Sequence, residues 1–182
     1  MSKNKSSQFH FIITGGTIDS FYDGTIDTVR PNEKSTIPSY IKSLKLYEDV
    51  EFSEICMKDS RELGEDDMEA VLEAIEKSSS ENIIVTHGTY TMPDTARFLQ
   101  ANLKKSDKRI LLTGSMIPMS GFTGTDGPFN LGFSMASAVH LPAGIYVCMN
   151  GKVFTHDEAA KSISEGRFYS IFKGKEAEFD NE

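Results

Sequence analysis

The sequence predicts an α/β fold built on a mostly parallel sheet. Short apolar runs alternate along the chain with segments of helical period. Several of those runs are near-continuously apolar, as strands covered on both faces must be. The chain has 182 residues, 38% of them hydrophobic. A chain of this size buries about 70% of the surface its unfolded form exposes, enough for one ordinary core.

The elements follow in order. Phe9–Ile13, Val50–Met57, Ile83–Thr86, Ile110–Thr113 and Ile145–Met149 are the predicted strands. Between the second and third, Met68, Val71, Leu72 and Ile75 share one helical face. Glu65, Asp66 and Asp67 stand at the start of that helix, where negative charge suits its positive end. Ala96, Leu99 and Leu103 repeat the spacing after the third strand, with Pro93 in the first turn. Pro128 opens a last helix carrying Leu131, Met135 and Val139. Strands alternating with helices require crossover connections, and ligands then bind at the carboxyl ends of the strands. The expected organisation is one domain over 1–172 and a charged, frayed tail over 173–182.

Composition excludes several classes of function. With 27 acids against 19 bases the net charge is −8. No Lys/Arg-rich run interrupts it, which argues against nucleic-acid binding. The longest apolar runs, such as Ile145–Cys148, are too short to cross a bilayer, so no membrane partner is expected. Residues 1–7 are charged, but no apolar segment of signal-peptide length follows. Cys56 and Cys148 lie far apart in apolar contexts and read as buried free thiols in a reducing cytoplasm. His10, His87, His140 and His156 have no ligand spacing, so no metal site is expected. Phosphate-loop, dinucleotide and nucleophile-elbow motifs are missing from the sequence.

What remains is hydroxyl, carboxylate and lysine chemistry after each strand. The first strand is followed by Thr14-Gly15-Gly16-Thr17-Ile18 and the second by Lys58-Asp59-Ser60. Thr86-His87-Gly88-Thr89-Tyr90-Thr91 follows the third, and Thr113-Gly114-Ser115-Met116 the fourth. Glycines let the backbone turn sharply and approach a ligand. Taken singly, the first segment also reads as a plain glycine turn, and Asp59 or Ser60 as a helix cap. In a parallel sheet these strand ends converge on one crevice, which favours a shared pocket.

Thr14-Gly15-Gly16-Thr17-Ile18, Asp59-Ser60, Thr86-His87-Gly88-Thr89-x-Thr91-Met92 and Asp126-Gly127-Pro128-Phe129-Asn130 resemble the amino-terminal domain of bacterial-type L-asparaginases. The resemblance runs in order from about residue 9 to residue 170. It implies a three-layer α/β domain of flavodoxin-like kind and an amidohydrolase acting on asparagine or a related small amide. It also implies no cofactor, and a homo-oligomer.

Carried over by position, Thr17 matches the family's nucleophilic threonine and Thr89 its second catalytic threonine. Asp59 and Ser60 match the pair that holds the substrate's α-groups, and Lys161 the lysine beside the second threonine. Tyr22 is the candidate for the mobile-loop tyrosine. Taken alone, Lys161 reads equally as a solvated helix charge and Tyr22 as a loop aromatic. Gly16, Gly88 and Ser115 complete the expected substrate-binding set with Tyr90. A threonine hydroxyl needs a base or a field favouring its alkoxide, and a desolvated lysine can accept the proton. Backbone amides near Gly15-Gly16 or Gly88 are the candidate oxyanion donors.

Two features depart from the family. Tyr90 stands where the family has an aspartate that pairs with the substrate's α-ammonium, and a neutral phenol supplies no ion pair. The sequence given ends at Glu182, short of the family's carboxy-terminal domain, as expected either of a single-domain member or of a truncated chain. The alternative expectation is therefore a weak or inactive relative that keeps the pocket for small-molecule binding.

Overall fold

The computed structural model describes residues 8–104 and 107–173. A six-stranded sheet forms its centre. Its parallel strands are β1 (Phe9–Gly15), β4 (Val50–Lys58), β5 (Asn82–Thr86), β6 (Arg109–Thr113) and β7 (Gly144–Met149). An antiparallel edge strand, β8 (Lys152–Thr155), completes it. The spatial order is β4-β1-β5-β6-β7-β8. Counted in chain order, the parallel strands read 2-1-3-4-5, the flavodoxin-like arrangement. The chain leaves β1 toward one edge to make β4 and then crosses back to β5, so the switch point lies between β1 and β5.

Helices cover both faces. On one, α2 (Glu65–Lys77) and α3 (Met92–Asn102) pack over Ile12, Ile83, Val85, Ile110, Leu112 and Val147. On the other, α1 (Ile37–Ser43) and α4 (Gly127–Ala138) pack over Phe11, Ile13, Ile84, Leu111 and Cys148. Strand alternation divides the side chains between the two layers, and Phe11 lies level with Phe52 of β4 and Ile84 of β5. Each large apolar side chain so buried contributes about 1.5–3 kcal/mol.

The predicted strands and helices all form, with ends shifted by a few residues. Four other features were not anticipated from the sequence: helix α1, strand β8, and the hairpins β2 (Ser20–Asp23)–β3 (Thr28–Pro31) and β9 (Ala159–Ser162)–β10 (Arg167–Ser170). Strand β4 is an edge strand with Glu51 and Glu54 exposed. Cys148 is buried and Cys56 only partly so; both thiols are free. No described helix is long and apolar enough to cross a membrane. The charged tail beyond Lys173 and the charged segment 1–7 lie outside the described residues.

Candidate active site

The carboxyl ends of β4, β1 and β5 meet at the switch point, and glycine makes the meeting possible. Gly16 sits at φ 79°, ψ −176°, a backbone region essentially reserved for glycine. A methyl group there would come within 2.4 Å of the Gly88 backbone. A methyl on Gly88 would in turn come within 2.6 Å of Ser60 Cβ. Three strand ends, carrying Thr17, Ser60 and Thr89, are thus stacked in direct contact. The Gly16 amide donates to Lys58 O at 2.8 Å, so Gly16 acts through space rather than as an oxyanion donor. Thr91 Oγ1 donates to Ser60 O at 2.8 Å and ties the β5 loop to the β4 loop.

Thr17 opens a single 3-10 turn after β1 and is partly buried. Two residues on, the fully buried Asp19 accepts from Thr36 N at 2.7 Å, Thr36 Oγ1 at 2.9 Å and Asn32 Nδ2 at 3.3 Å. Those bonds anchor the threonine turn to the start of α1. Ser60 is buried. Asp59 caps the following turn by accepting from Arg61 N at 2.9 Å, so the capping role is real for this residue.

Lys161 lies on β9, not on a helix. Its Nζ sits 2.6 Å from Thr89 Oγ1. The hairpin is held across α3, where Arg97 donates to Ala159 O at 3.1 Å. Burial pushes the Lys161 ammonium below its ordinary range; Asp59 pulls it back up and Arg61 adds to the depression. Asp59 is itself held below the usual carboxylate range, chiefly by its hydrogen bonds from Arg61.

Tyr90 is half exposed and is flanked by cations. Lys161 Nζ lies 4.1 Å from its ring centroid and the Arg61 guanidinium carbon 4.8 Å. Arg61 was not singled out from the sequence. Its position directly after Asp59-Ser60, two residues from an acid it can fork, was the available signal.

The other expected residues sit differently. Tyr22 is on β2; its hydroxyl donates to Asp27 and its ring meets Phe122 edge-on at 6.5 Å. Those partners belong to the hairpin and the loop before α4, not to the Thr89–Lys161 pair. Ser115 is fully buried and donates to Ile117 O at 2.6 Å, so it braces its own loop. That loop is held by Asp126, which accepts from Met116 N and Ile117 N at 3.0 Å, and by Asn130, which donates to Gly114 O at 2.9 Å. Among the described residues no cluster of metal-ligating side chains occurs.

A sheet of this order, with threonines, a serine and a lysine gathered at its switch point, defines a doubly wound α/β protein of flavodoxin-like order. Comparison with known proteins makes this specific. The family model for the asparaginase amino-terminal domain matches residues 8–179, and the chain belongs to that family. A glutaminase-asparaginase of Acinetobacter glutaminasificans is 37% identical over 97 residues, 52% of this chain and 29% of that protein. A probable L-asparaginase 1 of Schizosaccharomyces pombe is 26% identical over 91% of this chain and 48% of its own length. The crystal structure of a probable cytoplasmic L-asparaginase from Campylobacter jejuni superposes with a TM-score of 0.74 at 28% identity, covering 91% of this chain and 53% of that one. The chain therefore spans about half, or less, of the relatives it matches.

Proposed function

We propose that this chain is an amidohydrolase that cleaves L-asparagine or a related small amide through Thr17. The observation that carries this reading is the 2.6 Å contact between Lys161 Nζ and Thr89 Oγ1, beside the stacked Gly16–Gly88–Ser60 contact. A lysine depressed by burial accepts a proton through Thr89. Thr17 Oγ1 then attacks the amide carbon, an ester forms, and the C–N bond breaks as ammonia leaves with the transferred proton. Water, deprotonated by the same Thr89–Lys161 pair, cleaves the ester and returns the hydroxyl to Thr17. Asp59 and Ser60 hold the substrate's polar end, with Tyr90 at the pocket's edge. Tyr22 closes over the site if its hairpin swings inward, releasing Asp27.

Its setting is the cytoplasm, for which the two free cysteines and the cytoplasmic designation of the Campylobacter jejuni relative provide support. Self-association is the second part of the reading. A groove of about 340 Å³ between α1 and α4, lined by Tyr40, Leu44, Leu131, Met135 and Val139, presents an apolar surface for it. Size-exclusion chromatography with light scattering tests this part; a monomer across micromolar concentrations would refute it.

A second reading, a small-molecule-binding protein without turnover, is favoured by one observation: Tyr90 carries two cations where the family has an acid. Steady-state ammonia release from a panel of amides decides between them. Turnover well above a Thr17→Ala control supports the enzyme, and none above it leaves the binding protein.

A further inference from the structure

Around Tyr90 the charges are unevenly shared. Arg61 forks Asp59 with Nε on Oδ1 and Nη2 on Oδ2, both at 2.9 Å, and Arg61 N takes Oδ1 again at 2.9 Å. Both carboxylate oxygens of Asp59 are therefore engaged by one neighbour. The Tyr90 ring, whose face could receive a cation, is already flanked by Arg61 at 4.8 Å and Lys161 at 4.1 Å. An incoming α-ammonium would meet the Arg61 guanidinium, a ring that it already faces, and one committed carboxylate. An incoming carboxylate would meet Nη1 of Arg61, which lies outside the fork on a side chain 64% exposed. The field of the site thus opposes a zwitterionic amino acid and accepts an acid without the amino group.

We propose that Arg61 and Tyr90 set substrate choice, so that the pocket takes monoamides of dicarboxylic acids lacking an α-ammonium in preference to α-amino acid amides. The inference rests on the amidohydrolase reading only for turnover; its binding part stands without it.

The test compares succinate with L-aspartate, which differ by the ammonium alone, by isothermal titration calorimetry on the intact protein. Rates on succinamate and L-asparagine are measured in parallel. Succinate is expected to bind about ten- to a hundredfold more tightly, the value of a single charge-assisted hydrogen bond. Tyr90→Asp should reverse the order, and Tyr90→Phe, which keeps the ring, should preserve it. Arg61→Gln, on an exposed side chain, should weaken succinate about tenfold or more while changing L-aspartate far less. It keeps the test available if Tyr90→Asp misfolds.

L-Aspartate binding as tightly as succinate, or Arg61→Gln weakening both equally, would overturn the proposal. Preferential succinate binding with no amide turned over would sustain it and overturn the amidohydrolase reading. Turnover of L-asparagine above succinamate would do the reverse.

Discussion

Lys161 Nζ lies 2.6 Å from Thr89 Oγ1, although the two residues stand 72 positions apart in the chain. Helix α3, strand β6, helix α4 and strands β7 and β8 lie between them, and the β9–β10 hairpin delivers the amine to Thr89 just past the end of β5. Partial burial of that amine is unfavourable for stability and, under the proposed function, serves proton transfer.

Lys161→Met should separate those effects. It removes the proton acceptor, so kcat on the preferred amide should fall on the order of 10²–10⁴-fold. It also removes a desolvated ammonium while keeping the aliphatic stem, so the thermal midpoint should hold or rise. Calorimetry beside steady-state kinetics checks both. A variant that keeps most of its kcat would exclude Lys161 from the chemistry.

The charges beside Lys161 predict a pH profile with a defined sign. The proposed mechanism requires the neutral amine, so kcat should rise with pH through the lowered Lys161 pKa. Asp59 raises that pKa and Arg61 lowers it. Arg61→Gln removes one cation and frees Asp59, moving the rising limb to higher pH. Asp59→Asn removes the acid and frees Arg61, moving it to lower pH. Profiles of kcat measured for all three proteins decide this, and shifts of one sign in both variants would assign the limb elsewhere.

The sheet was legible because apolar runs such as Ile83–Thr86 and Ile110–Thr113 state burial directly, and the helix carrying Met68, Val71, Leu72 and Ile75 states its period. Strand β8 also carries a legible signal. Asn150-Gly151 after β7 is a two-residue hairpin turn, and both residues take positive φ, 54° and 73°. Helix α1 and the outer hairpins were not legible. Thr28–Pro31 and Ala159–Ser162 are short and weakly patterned, and tertiary contacts hold them. That is why Lys161 read equally as a helix charge: its strand exists through pairing with Phe168 and support from Arg97. The Thr17, Ser60 and Thr89 positions followed from the strand ends. The pairing of Arg61 with Tyr90 did not, because a ring–cation contact across two loops leaves no local pattern.

Gly16 and Gly88 should fail differently when changed to alanine. Gly16→Ala puts a side chain at φ 79°, ψ −176°, costing about 1–3 kcal/mol in backbone conformation, and drives it into the Gly88 backbone at 2.4 Å. Backbone cannot yield cheaply, so the protein should lose both stability and activity. Gly88→Ala has no left-handed φ to oppose it, and meets Ser60 Cβ at 2.6 Å and Ser60 N at 3.0 Å rather than the backbone at 2.4 Å. Ser60 must shift, so KM should rise with a smaller loss of stability. Chemical denaturation and kinetics on both variants test this, and a larger unfolding penalty for Gly88→Ala would contradict the stacking described above.

His87 supplies the last prediction, an acid limit to stability. It is fully buried at the end of β5, with Nδ1 2.7 Å from Gly88 O and Nε2 2.9 Å from Thr95 Oγ1. A carbonyl only accepts, so Nδ1 carries the proton and Nε2 accepts from the threonine hydroxyl. Burial pushes the His87 pKa down to about 4, against 6.5 for the free side chain, and the Gly88 carbonyl only partly opposes this. Between those values the unfolded chain binds a proton that the folded one refuses. Stability should therefore be complete above pH about 6.5 and decline as pH falls toward about 4, by up to about 3 kcal/mol from this residue. His10, also lowered by burial, adds to the same limb. Urea unfolding at pH about 7 and about 4.5 measures the slope. In His87→Gln, which does not titrate, the slope should be clearly shallower with His10 accounting for what remains. An unchanged slope would mean that His87 keeps its ordinary affinity for protons, and that the wall of the site behind Gly88 is open to water.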